Sequence, residues 1–188
     1  MERFQELERG AVYFFGLRRL LIVLHPEERE VRRVLVIGKR RLPDAKSKAR
    51  RAWGFVESAA ADPRRLEREL LGLPPTGQGV YLFARHEGHV HWLFENTNGR
   101  RGAYIVLGKD PAAREAPRAD PRQPELDLGL PLRTRTWAAL SSPLALDAPG
   151  AQFVLVATRV DPGIEVLLTP RPPPPLWKGD GPHGILPA

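Results

Sequence analysis

The chain has 188 residues, 42% of them hydrophobic, which is enough for one globular domain with a real core. It contains no Cys and one Met, so disulfides, thiolate metal sites and thiol nucleophiles are excluded. The net charge of +7 is concentrated in one stretch: between positions 32 and 51, nine Lys and Arg stand against one acid, Asp44, a local charge of +8.

No apolar run reaches the roughly 18 residues that a membrane-spanning helix needs. The charged start, with Glu2, Arg3, Glu6, Glu8 and Arg9, is unlike a secretion signal. The expectation is a soluble cytoplasmic protein with no membrane partner. Twenty Pro, abundant Arg and no Cys fit a thermophile.

In chain order, residues 1–8 read as a short helical start. Residues 11–17, rich in aromatics (Tyr13, Phe14, Phe15), then 20–25, closed by Pro26, and 31–39 read as three strands of an antiparallel meander. Pro43-Asp44 is a helix-start signal with Asp44 as N-cap. Ala49, Ala52, Trp53, Val56 and Ala60 then recur at helical spacing, which predicts a helix with Trp53 on its buried stripe. Asp62-Pro63 closes it and opens a second helix over 64–71, stopped by Gly72.

Residues 79–108 follow as the stretch around which the rest is organised. Residues 80–85 and 89–95 are apolar runs of strand length, and between them His86-Glu87-Gly88 reads as a three-residue turn. That register pairs Phe83 with His91 and Leu82 with Trp92. It gathers Val80, Leu82, Ala84, Val90, Trp92 and Phe94 on one apolar face, and Tyr81, Phe83, Arg85, His89, His91, Leu93 and Glu95 on the other. A two-residue turn at Glu87-Gly88 would mix polar and apolar side chains, and the cleaner segregation favours the longer turn.

A strand over 103–107 comes next, then a mobile, Pro-, Ala- and Arg-rich loop at about 110–128. Residues 132–146 show no clear period. A last hairpin joins 152–158 to 164–168 through Asp161-Pro162-Gly163. Residues 170–175 are extended, and Trp177 pins this tail to the body. Strands interrupted by one helical pair predict an α+β class, an antiparallel sheet built from hairpins with the helical pair packed on it. The expected organisation is one domain over 1–169 and a Pro-rich tail over 170–188.

Read together, several short stretches resemble a family of uncharacterised bacterial proteins. They are Arg9-Gly10 before Tyr13-Phe14-Phe15, Gly38-Lys39-Arg40-Arg41-Leu42-Pro43, Trp53-Gly54-Phe55-Val56, His89-Val90-His91, and Gly150-Ala151-Gln152-Phe153-Val154-Leu155. The loops after Gly16 and Glu95 are shorter here than in that family. The resemblance adds coherence to the reading and carries no activity.

Three function classes remain open. The leading one is a binding protein for an anionic partner such as nucleic acid. Lys39, Arg40, Arg41, Lys46, Lys48, Arg50 and Arg51 would neutralise phosphates, while Tyr81, Phe83 and His91 on a sheet face would stack on bases. It requires no cofactor. The alternative is a metal-dependent enzyme using a divalent transition metal at His89, His91 and Glu95. Two imidazoles two residues apart on a strand point the same way, and the carboxylate shares their face. This His-x-His followed by Glu resembles the first cupin motif, although the preceding Gly and a second His motif are absent. The third is a structural or assembly module whose strand faces pair between subunits into a homo-oligomer.

Other chemistries have no support. No Gly-rich phosphate loop precedes a helix, and Ser141-Ser142 lacks the strand-to-helix setting of a nucleophile elbow. Asp44 and Asp62 read as helix caps, and Trp53, Trp92 and Trp137 as core.

Overall fold

The computed structural model describes residues 4–62, 66, 70, 72–109, 137–140 and 142–159. These residues form nine strands: β1 (Gln5–Gly16), β2 (Leu20–Pro26), β3 (Arg32–Ile37), β4 (Arg51–Ala60), β5 (Gly77–His86), β6 (His89–Asn96), β7 (Arg101–Lys109), β8 (Trp137–Ala139) and β9 (Gln152–Ala157). A 3-10 turn over Pro143–Asp147 precedes β9, capped by the Ser142 hydroxyl, which accepts from the Leu144 N–H at 3.2 Å. Eight strands close into an antiparallel barrel in the order β1-β2-β3-β4-β9-β7-β6-β5, with β5 returning to pair with β1. β8 continues beside β7 where β6 leaves off, pairing with Leu107, Gly108 and Lys109.

The fold is therefore all-β, and the α+β expectation with a helical pair is overturned. The decisive segment is Arg51–Ala60, expected to be helical and found as β4 between β3 and β9. Burial on both faces explains most of the false signal: Ala52 and Val56 face the core, and Trp53, on the opposite face of the strand, is buried too. Val34 pairs with Ser58 and Leu35 with Val56, so Glu57 is an extra residue that shifts the alternation by one. Beyond it, Ala59 rather than the expected Ala60 packs against the core. Asp44 starts no helix either. Its Oδ1 accepts from the Lys46 N–H at 2.9 Å and its carbonyl from the Ser47 N–H at 3.0 Å, a local turn.

Of the second expected helix, only Leu66 and Leu70 are among the described residues; the Leu70 N–H donates to the Leu66 carbonyl at 2.9 Å. Both leucines pack on Ala11, Tyr13, Phe15 and Val23, the outward side of the first strands. The aromatic run of β1 is thus buried on both faces: Val12 and Phe14 point into the barrel, Tyr13 and Phe15 away from it. The helical start is corrected as well, since β1 begins at Gln5. The 110–128 loop, the 164–168 strand, Trp177 and the 170–188 tail lie outside the described residues.

The β5–β6 register is the rejected alternative. His86 pairs with His89, Phe83 with Trp92 and Tyr81 with Phe94. The turn is the two-residue Glu87-Gly88, with φ of 49° and 75°, the left-handed pair that matches strand twist. Sorting by polarity failed because both faces of this hairpin are covered. Tyr81, Phe83, Val90, Trp92 and Phe94 fill the barrel, while Leu82, Ala84, Leu93 and Ala103 form an outer apolar patch with Phe4 against it. With the middle of both faces buried, segregation by polarity misleads about register.

Small inward positions make room for large ones, as a narrow barrel requires. A Cβ at Gly102 would collide with the Phe94 and Tyr104 rings, and one at Gly54 would meet the Phe153 ring and the Val36 carbonyl at 2.6 Å. One ionic group is built into the interior. Arg33, fully buried, donates to Glu8 and to Asp147, and the Tyr81 hydroxyl donates to Glu8 at 2.7 Å.

Candidate anion-binding site

Antiparallel pairing brings the C-terminal ends of β1, β3, β6 and β9 and the N-terminal ends of β2, β4, β5 and β7 to one rim of the barrel. The basic run lies there, in the connection between β3 and β4. The ladder reaches past β3, with Gly38 N–H to Trp53 O at 2.8 Å and Leu20 N–H to Lys39 O at 3.1 Å. Lys39 Nζ donates to the Arg51 carbonyl at 2.8 Å, tying the base of the connection together.

The connection is also fastened from below. The hydroxyl of the buried Tyr104 donates to the Pro43 carbonyl at 2.9 Å. Burial pushes this hydroxyl up to about 12, with Arg100 pulling the other way, so it remains a proton donor at neutral pH.

Two hollows open on this rim. The larger, about 620 Å³, is walled by Lys46, Arg50, Arg100, Arg101 and Arg159, with Asp44 as the one acid among its lining residues, over a floor that includes Leu42, Phe94 and Tyr104. The smaller, about 150 Å³, is lined by Arg40, Arg41 and Arg100 together with Thr76, Asn96 and Asn98, and no acid is among its lining residues. Leu42, Phe94 and Arg100 border both. Neither lining contains His, Ser or Glu. This is donor chemistry suited to holding an anion.

The expected anion-binding residues thus divide. Arg40 and Arg41 line the smaller hollow and Lys46 and Arg50 the larger, whereas Lys48 and Arg51 are exposed and line neither. Arg32 and Arg33, the first members of the basic stretch, sit at the opposite end of the barrel and are buried. Arg100, Arg101 and Arg159 were missed. Their signal was weak, two arginines in a turn and one after a strand, far from the basic run in sequence. Only closure of the barrel makes the three segments neighbours.

The expected stacking face is overturned in part. Tyr81 and Phe83 are 1% exposed and point into the barrel, where no base can reach them. His91 lies on the outer side of β6, its ring 5.9 Å from that of His86 and 6.1 Å from that of Phe4. Burial, with His86 and His89 nearby, holds the His91 imidazole below its usual range.

The metal set does not converge. His89 Nδ1 lies 3.0 Å from the Glu87 carbonyl, and Glu95 accepts from Arg101 at 3.1 Å. Among the described residues, no three His, Asp or Glu side chains come together to hold a metal ion.

Comparison with known proteins returns no matching family model, no matching curated protein and no matching solved structure. No helix among the described residues is long and apolar enough to cross a membrane.

Proposed function

We propose that this protein binds nucleic acid through the basic rim of its barrel, by contacts to the phosphate backbone. The observation that carries this reading is convergence. Seven cations from three separate segments (Arg40, Arg41, Lys46 and Arg50; Arg100 and Arg101; Arg159) line two adjoining hollows in which Asp44 is the one lining acid. A concavity lined by one sign of charge concentrates counter-charged partners and raises their encounter rate. With Tyr81 and Phe83 inside the barrel, affinity comes from charge rather than from an open stacking sheet.

The test is the salt dependence of binding to a short labelled oligonucleotide. Each phosphate contact contributes a slope of roughly 0.7 to 0.9 in log K against log salt. Wild-type protein should bind tightly at low salt and lose affinity steeply, and Arg40→Glu with Arg41→Glu should flatten the slope by about two contacts. Absence of binding at low salt, or binding indifferent to salt, overturns the reading.

A further inference from the structure

We infer that the two hollows together seat one unpaired nucleotide of a single strand, its base and sugar in the larger and an adjoining phosphate in the smaller. This rests on the nucleic-acid reading above and goes beyond it by naming the form of nucleic acid.

Size is the first argument. About 620 Å³ falls within the roughly 300–1,000 Å³ of sites that bury a small molecule, whereas about 150 Å³ suits a single compact group such as phosphate. Chemistry is the second. The larger hollow pairs cationic walls with an apolar floor that includes Leu42 and the buried Phe94 and Tyr104, and the smaller is cationic with no lining acid. A ligand with an apolar planar part beside an anionic part matches that difference.

Continuity is the third. Arg100 borders both hollows, so one guanidinium lies between the two seats and can hold the linkage that joins them. The site is also formed before any ligand arrives, because Tyr104 fastens Pro43 and with it the connection that walls both hollows. A duplex cannot use such a site. Its bases are stacked and paired inside, and only a strand whose bases can be splayed out can place one in a concavity.

The experiment compares three polyanions on the whole protein: a mixed-sequence single strand, the duplex of the same sequence, and inorganic polyphosphate. Ala45, in the lining of the larger hollow, is changed to Trp, which fills the space without altering charge. Ala45→Trp should weaken single-strand binding about tenfold or more, the loss expected when a base is denied its seat, and leave polyphosphate binding unchanged. A nucleoside monophosphate should displace the strand from wild-type protein at concentrations where inorganic phosphate does not; should Ala45→Trp fail to fold, that competition decides alone. Single strand and duplex binding equally, with no effect of Ala45→Trp, overturns the nucleotide seat and leaves the basic rim as a general polyanion surface. Failure of all three polyanions to bind overturns both readings.

Discussion

Inside the barrel, Arg33 grips Glu8 with both terminal nitrogens, Nη1 to Oε1 at 2.5 Å and Nη2 to Oε2 at 3.0 Å, while its Nε donates to Asp147 at 2.7 Å. Arg33 has no exposed surface, so its charge depends on these two carboxylates. One guanidinium thereby joins β3 to β1 and to the 3-10 turn that leads into β9.

Removing one partner strands the other. Glu8→Ala leaves a buried guanidinium with one of its three acceptors and should destabilise the protein by about 3–5 kcal/mol. Replacing both, Arg33→Met with Glu8→Leu, should recover only part of that loss, because it avoids the desolvation penalty of the pair but leaves the Tyr81 hydroxyl without its acceptor and Asp147 with Arg29 alone. Denaturant unfolding of the single and double variants measures both. A single-variant loss below about 1 kcal/mol would mean that the pair is solvated.

The same network gives stability an acid limit. Burial pushes the Asp147 carboxyl up, but hydrogen bonds from Arg29 and Arg33 outweigh it and hold the group below its ordinary 3.8. A carboxyl depressed in the folded state stabilises above its unfolded pKa and loses that contribution as pH falls through the folded one. Unfolding midpoints should therefore change little through this group from neutral pH to about 5, then drop below the ordinary carboxylate range. Asp147→Asn should lower the neutral-pH midpoint and flatten part of the acid-side fall. A variant with the wild-type acid profile would remove Asp147 from the account.

The hairpin buried on both faces makes a contrary pair of substitutions equally damaging. Phe83→Ala, facing into the barrel, and Leu82→Ala, facing out, are both at most 1% exposed; they should each cost about 2–5 kcal/mol. A sheet with one wet face would tolerate one of the two. Thermal unfolding of both variants distinguishes these cases.

How much of this was legible in the sequence depends on which cue was local. Strand positions in β1, β2, β3, β7 and β9 follow from apolar runs punctuated by Gly, Pro and charged turns, all within a few residues. β4 was misread because Trp53 is buried opposite Ala52 and Val56, so strand alternation leaves no polar face to see, and because the bulge at Glu57 is fixed by its partner strand rather than by its own residues. The β5–β6 register was misread because polarity sorting assumes a wet face that Leu82 and Leu93 do not have. The site was half legible. Arg40, Arg41, Lys46 and Arg50 are neighbours in sequence, but Arg100, Arg101 and Arg159 join them only through barrel closure.

Position on the rim should matter more than membership of the basic segment. Arg100 borders both hollows, whereas Lys48 lines neither. Each substitution to Glu changes the net charge equally. In a direct oligonucleotide titration at moderate salt, Arg100→Glu should lower affinity about tenfold or more and Lys48→Glu only a few-fold, since one removes a contact and the other shifts the long-range field. Equal effects would assign binding to bulk charge.

Ring closure sets an order of events during synthesis. β1 to β4 can pair as they emerge, each with the strand just made, but β1 cannot gain its second neighbour until Gly77–His86 exists, nor β4 until Gln152–Ala157 does. Until then the growing meander presents two unsatisfied strand borders to every other chain nearby. Loss of β9 would leave the facing borders of β4 and β7 permanently open, so a truncation or frameshift shortly before position 152 is expected to give a sticky, oligomerising product rather than a smaller soluble one. Among the described strands, the last one made is what turns a self-adhesive ribbon into a closed ring.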